Sequence, residues 1–174
     1  MTTNWRGILT VKELHHLSKN GDVIKSVYNK TNIINIQGED YVLKLMLNAG
    51  SIAPLSNYWF GMDSRTSINT SQTLTDLTGL EPNSSTGYAR YDAPSSSFSN
   101  PPIYENGIWQ CIAPPLIFTA TSNWGYAVNN LFMTSSPTDD YSGILISSIN
   151  LGSYFNLLAG ESISLNYAMS LCSV

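Results

Sequence analysis

The sequence predicts a mainly β protein, an antiparallel β-sandwich of jelly-roll-like type with one early α-helix and an N-terminal β-hairpin arm. Short β-prone segments separated by turn residues recur along the chain. The segment Ser162–Leu171 alternates between large apolar residues and small or polar residues, whereas only Ile36–Asn48 shows helical periodicity. Many short strands with a single helix favour two packed antiparallel sheets.

The N-terminal segment predicts a β-hairpin. Ile8–Leu14 and Val23–Tyr28 are β-prone, and the Asn20-Gly21 pair between them tolerates positive φ at both positions. The charged side chains of these strands imply solvent on at least one face. We therefore expect residues 1–31 to form a hairpin arm, and residues 32–174 to form a single sandwich domain.

The segment Ile36–Asn48 predicts the helix. Val42, Leu45 and Met46 lie at helical spacing, and the other aliphatic residues widen this stripe. Asn35 is a candidate N-cap and Gly50 a candidate stop signal. Because the helix is apolar almost all round, we expect it to be well buried.

The rest of the chain predicts strands joined by polar loops. Ser64–Thr78 and Ser135–Ser142 have the composition of loops or turns, and Ala93–Pro102 that of a flexible connection. In the final strand, the inward positions are expected to be Ile163, Leu165, Tyr167, Met169 and Leu171. The other predicted strands are Tyr58–Met62, Thr86–Asp92, Gly107–Ala113, Leu116–Thr121, Trp124–Thr134 and Gly143–Ile149.

Charged residues are few and unevenly placed. They make up 11% of the chain, and no lysine, arginine or histidine follows Arg90. Nucleophilic, acid–base and phosphoryl chemistry usually requires a base, a cation or a metal cluster. The composition therefore favours a structural or binding protein over an enzyme, with no cofactor and no metal. The basic residues form no run, so we expect no nucleic-acid site.

The sequence contains no secretory signal and no apolar stretch of about eighteen residues, so we expect a soluble protein assembled in a cytoplasm, with no membrane partner. Cys111 and Cys172 are too few for a disulfide framework and are expected to be small buried side chains.

Two short motifs contain residues that bind metals, but a non-metal interpretation is favoured for each. His15-His16 is expected to be exposed on the hairpin, because neighbouring strand residues face opposite sides and the chain has no other histidine. Asp139-Asp140 lacks the alternating oxygen ligands of a calcium loop and is expected to be an acidic turn.

Two alternatives to a structural protein remain open. A glycan-binding module would present a groove with exposed Trp59, Trp109 or Trp124. A glycosidase would require two carboxylates facing one cleft, for which Glu105 and Glu161 are the candidates because they flank aromatic residues.

Seven segments in order carry a family resemblance, and GYAR at Gly87–Arg90 is the most specific of them. From about Asn32 to Leu171 the chain resembles a group of small tailed-bacteriophage virion proteins, from which it departs by its N-terminal hairpin and its charge-poor C-terminal half. The resemblance implies a capsid decoration (cement) protein or another virion component, with the major capsid protein or other virion proteins as partners. The segments are NIINIQGEDYVLKLMLN, NYWFGMD, GYAR, PLIFTAT, WGYAVNNLFMTSS, SGILISSINLG and GESISLNYAMSL.

Tyr88, Arg90 and Asp92 are spaced by two residues and are expected to share one face of a strand. We interpret Arg90 as a structural arginine bonded to a carboxylate and to backbone carbonyls, because a partly buried arginine requires partners. A contact with an anion or a partner protein is the alternative.

The low charge also predicts assembly. Strand edges without protective lysines should be covered by neighbouring subunits, so we expect a homo-oligomer, with a trimer as the natural arrangement at a lattice symmetry point. The hairpin holds five of the eight basic residues if Lys30 is included, and is expected to dock against an acidic shell. The candidate interface residues are Trp5, Lys12, Lys25 and Tyr28.

Overall fold

The protein is a mainly β sandwich of two antiparallel sheets with one α-helix. A computed structural model describes residues 5–99, 101–105 and 108–173, and it describes only the backbone of residues 5–9, 51 and 171–173. The elements in chain order are β1 (Trp5–Leu17), β2 (Val23–Thr31), β3 (Ile33–Ile34), α1 (Ile36–Met46), β4 (Asn57–Asp63), β5 (Tyr91–Pro94), β6 (Ile103–Glu105), β7 (Ile108–Ile112), β8 (Leu116–Thr119), β9 (Val128–Thr134), β10 (Leu145–Phe155) and β11 (Ser162–Ser173).

The first sheet has the strand order β2-β1-β11-β7-β6, with β8 also paired to β11, and the second has the order β3-β10-β9-β4-β5. The inward positions predicted for the last strand are confirmed where side chains are described, although Ala168 on the other face is also buried, at 3% exposed. Ile163, Leu165 and Tyr167 are at most 1% exposed, and Met169 is half-buried, while the side chain of Leu171 lies outside the described residues. Tyr167 meets Phe60 of the second sheet with ring centroids 4.7 Å apart.

The N-terminal hairpin forms as predicted, but it is not a projecting arm. β1 lies between β2 and β11 and pairs with β11 from Trp5 opposite Ser173 to Leu17 opposite Ser162. Val11 and Leu14 point into the core and are completely buried. The apolar residues of β1 explain this, because they complete the core face of the first sheet.

The helix forms where predicted, but it is not well buried. Of the residues of α1, only Gly38 and Tyr41 are buried. Gly38 allows the helix to lie directly on β10, because a Cβ at this position would stand 2.2 Å from the carbonyl oxygen of Ile146. The sheet covers one side of α1, so its apolar residues on the other side remain exposed. Asn48, with φ of 49°, adopts the left-handed conformation that ends the helical turn before the predicted stop at Gly50.

The predicted strand Thr86–Asp92 is mostly irregular. Ser84–Thr86 is a short 3₁₀ helix, Gly87 has φ of 84°, and β5 begins only at Tyr91. A Cβ at Gly87 would also stand 2.7 Å from the side chain of Thr121. Glycine is therefore required here both by the left-handed turn and by the close contact between this backbone and Thr121. This turn directs the side chains that follow it into the interior.

Two predicted loops are more ordered than their composition suggests. Ser64–Thr78 contains a 3₁₀ helix, Leu74–Leu77, with a capping box between Thr73 and Asp76. The connection Ala93–Pro102 contains Phe98, which is 8% exposed and packs in the core. Buried apolar side chains therefore anchor both segments.

Candidate functional site

The GYAR segment builds a buried ion pair between Arg90 and Glu81. The guanidinium forms two parallel contacts, Nη2 to Oε1 at 2.6 Å and Nε to Oε2 at 3.0 Å. The hydroxyl of Tyr88 donates to the same carboxylate, at 2.7 Å from Oε2. Burial, reinforced by the neighbouring Glu81 carboxylate, raises the pKa of Tyr88 well above its ordinary value. Tyr88 therefore stays a neutral donor.

Arg90 also binds the turn at residues 135–142. Its Nη1 donates to the carbonyl oxygens of Ser136, Pro137 and Asp140 at 2.9, 2.7 and 2.9 Å. The ring of Tyr141 lies 5.0 Å from the guanidinium carbon. Among the described residues, the guanidinium of Arg90 thus joins the Glu81 carboxylate to the turn at residues 135–142.

Asp92 does not join Tyr88 and Arg90. It lies in β5 with an exposed side chain and accepts a hydrogen bond from Asn57 Nδ2 at 2.6 Å. The expected shared strand face is wrong because the segment before Tyr91 is not a strand. The carboxylate partner is Glu81, nine residues earlier in a loop, and no periodic signal in the sequence connects the two positions.

A second buried ion pair joins Asp63 to Arg65, and the sequence did not predict it. Arg65 Nη2 lies 2.8 Å from Asp63 Oδ2, and both side chains are almost completely buried. Arg65 Nη2 also donates to the hydroxyl of Ser148, which donates to Asn35 Oδ1 at 3.1 Å. Asn35 precedes α1 but does not cap it with its side chain, which bonds to the loop instead. The network fastens the start of α1 to the second sheet.

The histidines are not exposed as expected. His16 is 7% exposed, and its Nε2 lies 2.9 Å from Glu161 Oε2. His15 contacts the hydroxyl of Ser26 and the carboxylate of Glu13. In the described part of the chain, no group of three or more His, Cys, Asp or Glu side chains could hold a metal ion.

The two candidate acid–base carboxylates bind different partners and do not face one cleft. Glu105 lies 2.9 Å from Lys12 Nζ, and Glu161 binds His16. The Asp139-Asp140 segment forms the predicted turn, in which Asp140 accepts from Ser142. The gap lined by Phe60, Phe132, Tyr167 and their neighbours is too small to hold a water molecule.

The predicted interface residues differ in their availability. Lys12 is paired with Glu105, and Lys25 donates to the carbonyl oxygen of Tyr154 at 2.9 Å. Tyr28 is 54% exposed. The side chain of Trp5 lies outside the described residues. Cys111 is half-buried with a free thiol, and the side chain of Cys172 is not described.

One of the three candidate tryptophans is prominently exposed. Trp109 is 61% exposed and stands opposite Tyr104, which is 60% exposed, in the β6–β7 hairpin. The two ring centroids are 5.1 Å apart. Trp124 is buried, and Trp59 is half-buried.

Comparison of the chain with protein-family models, with curated proteins and with solved structures gives no match. Among the described residues, no helix has the length and apolar character needed to cross a membrane. Function must therefore follow from the fold, the buried pairs and the exposed surfaces.

Proposed function

We propose that the protein is a non-enzymatic structural component of a tailed-bacteriophage virion, specifically a capsid decoration (cement) protein that stabilises the head. The observation that carries the proposal is the structural role of the GYAR segment, Gly87–Arg90, within the fold. The polar groups of Tyr88 and Arg90 form hydrogen bonds with Glu81 and with the turn at residues 135–142. The most specific part of the family resemblance therefore serves the fold, which suits a scaffold that presents surfaces.

The mechanism would be many modest contacts repeated by symmetry. On a lattice, a weak single interface is multiplied by avidity, so no large or highly charged patch is required. The exposed surface of this chain includes uncharged and apolar residues such as Tyr28, Ile117 and Tyr154. The major capsid protein would be the main partner, and copies of the protein would form a homo-oligomer on the capsid lattice, with a trimer as the expected arrangement there.

The test is binding of the purified protein to undecorated capsids of the phage that encodes it. We expect cosedimentation at a fixed number of copies per capsid and a higher temperature of DNA release from decorated particles. A cryo-electron microscopy map should show the sandwich on the outer face of the head. Failure to bind capsids, or density confined to the tail, would overturn the decoration role.

A tail, baseplate or fibre-associated β-domain that binds a host glycan is the second candidate, and the Tyr104–Trp109 pair favours it. Exposed aromatic rings can stack on the apolar faces of sugars and are enriched in binding surfaces. Titration of host surface polysaccharide should then give binding that Trp109→Ala abolishes. The matched control is Tyr154→Ala, because Tyr154 is 64% exposed but lies in β10. Equal binding by both variants would exclude the aromatic pair as a glycan site.

A further inference from the structure

The outer side of α1 carries four long apolar side chains that the fold leaves in solvent. Ile36 and Leu43 are each 56% exposed, Met46 is 69% exposed and Leu47 is 74% exposed. Leu47 follows the last helical residue, but its N–H still bonds to the carbonyl oxygen of Leu43 at 3.0 Å and continues the helical spacing. We call Ile36, Leu43, Met46 and Leu47 the outer stripe.

The outer stripe lies on one side of the helix, with the exposed Glu39 between Ile36 and Leu43, and it cannot turn inward. Residues seven and four apart lie on the same side of a helix, which places Ile36, Leu43 and Leu47 in one row with Met46 beside them. The opposite side holds Gly38 and Tyr41 against the sandwich. Because Gly38 rests on the backbone of Ile146, rotation of the helix would bring bulkier residues into that contact.

The charges beside the outer stripe indicate what covers it. Glu39, Asp40 and Lys44 are the charged residues of α1. A helix that lies on a membrane surface usually carries a basic polar face, which this helix lacks. Asp40 and Lys44 lie on the same flank of the stripe and form an ion pair at 2.5 Å within the helix.

This flank is complementary to itself when two helices run antiparallel. Rotation about a two-fold axis near residue 42 places Lys44 of each copy beside Asp40 of the other, and Ile36 of each copy near Leu47 of the other. The same operation brings the two Leu43 side chains together at the centre. A parallel arrangement would instead place this flank of one copy against the opposite flank of the other, so that Asp40 and Lys44 would not meet.

We propose that α1 is a self-association surface through which two copies of this chain pair antiparallel across a two-fold axis. Large contiguous apolar patches mark interaction sites, and four long apolar side chains are grouped on this side of α1. Stable interfaces bury about 800 Å² on each partner, more than an eleven-residue helix supplies, so the pair is weak and reversible. The inference goes beyond the proposed function, because the pairing is a property of the isolated protein.

The first test measures the mass of the full chain by sedimentation equilibrium from low micromolar to millimolar concentration. Wild-type protein should shift from monomer to dimer. Leu43→Lys should weaken the dimer at least about 100-fold, since it places a charge at the centre of the contact. Leu158→Lys is the matched control, because Leu158 is 51% exposed in the loop before β11, and this variant should dimerise like wild type.

The second test exchanges charges. Asp40→Lys alone and Lys44→Asp alone should each weaken self-association about tenfold, because like charges then face each other across the two-fold axis. An equimolar mixture of the two variants should regain dimers, since every Lys then meets an Asp. Circular dichroism should show that each variant folds, which is expected because the side chains of Lys44 and Asp40 are 42% and 56% exposed.

A third test fixes the direction of the pair. In a Cys111→Ser, Cys172→Ser background, a mixture of Ile36→Cys and Leu47→Cys chains should form a mixed disulfide dimer faster than either chain alone. Faster formation of the two like dimers would overturn the antiparallel arrangement. A wild-type protein that stays monomeric at millimolar concentration, or a dimer that Leu43→Lys does not weaken, would overturn the surface itself.

Discussion

Arg90 and Glu81 face each other in the interior as two parallel forks, with guanidinium–carboxylate distances of 2.6 and 3.0 Å. The two side chains are 0% and 4% exposed. Loss of one charge would leave the other buried without its counterion, and it would also release the turn at residues 135–142 from Arg90.

Arg90→Ala is therefore expected to lower the free energy of unfolding by about 3–5 kcal/mol, because it leaves the buried Glu81 carboxylate without its charged partner. Urea denaturation followed by tryptophan fluorescence would measure the change. The control is Lys12→Ala, which removes one partner of the solvent-exposed pair with Glu105 and should leave stability unchanged within error. An Arg90→Ala protein that unfolds like wild type but no longer binds capsids would instead make Arg90 an interface residue.

The sequence predicted the kind of partner for Arg90 but not the partner itself. A low-charge β protein with an arginine beside aromatic residues must satisfy that arginine, and a carboxylate with backbone carbonyls was the expected solution. The choice of Glu81 depends on the left-handed turn at Gly87, which ends strand periodicity and points Arg90 toward a distant loop. The buried pair of Asp63 and Arg65 was not predicted, because further partners of this pair, such as Ser148, come from another strand.

Leu165→Ala is expected to cost about 2–5 kcal/mol of unfolding free energy, because Leu165 is 1% exposed between the sheets and its removal leaves a cavity. Ile117→Ala is the matched control, because Ile117 lies next to β11 in β8 but is 54% exposed. Chemical denaturation of both variants should separate them clearly. A cost below about 0.5 kcal/mol for Leu165→Ala would contradict its place in the core.

Gly38→Ala should destabilise the protein, although alanine favours helices by about 1 kcal/mol relative to glycine. The new methyl group would meet the backbone of Ile146 at 2.2 Å, so α1 or β10 must move. We expect a net cost of about 1–3 kcal/mol, as for overpacked cores. Thermal unfolding would measure it, with Asp40→Ala on the exposed side of α1 as the control. A more stable Gly38→Ala protein would show that the helix does not rest on β10.

The apolar composition of the helix led to a wrong prediction of its burial. Its position followed from periodicity and is confirmed, but burial does not follow from an apolar sequence alone. A helix packed on one side of a sheet can cover only one face, so apolar residues on its second face stay exposed until another molecule covers them. The spacing of Ile36, Leu43 and Leu47 was visible in the sequence. Gly38 determines which face of the helix packs on β10, and only the structure shows this close contact.

The stability of the protein should fall in alkaline solution. Burial raises the pKa of Tyr88 and of Tyr167 well above the ordinary value of 10.0. Both phenols ionise more readily in the unfolded chain, so their contribution is complete below about pH 10 and is lost as the pH rises above it. The slope should be about −1.4 kcal/mol per pH unit for each tyrosine in that range.

Urea denaturation between pH 8 and 11.5 would test this dependence. Tyr167→Phe removes one of the two phenols, and its stability should fall less steeply with pH than that of wild type. Absorbance of tyrosinate should rise together with unfolding for the buried residues. A wild-type curve that is flat to pH 11.5, or equal slopes for both proteins, would show that these two hydroxyls do not control the alkaline transition.

Deletion of residues 1–31 is expected to prevent folding. The deletion removes β1 and β2, and β11 loses the neighbour with which it pairs from Ser162 to Ser173. It also removes Val11 and Leu14, which are completely buried. Large-to-small changes at such positions cost about 2–5 kcal/mol each, and whole domains are stable by only about 5–15 kcal/mol.

The truncated chain should therefore lack cooperative thermal unfolding and should aggregate, whereas coexpression with a separate 1–31 peptide should restore soluble protein. Ile24→Lys and Tyr28→Ser keep the strands and change only exposed side chains of β2, so both should unfold like wild type. Capsid binding by these two variants then tests the hairpin as an interface without damage to the fold. A truncated chain that folds cooperatively alone would show that β1 is an addition to a sandwich complete without it.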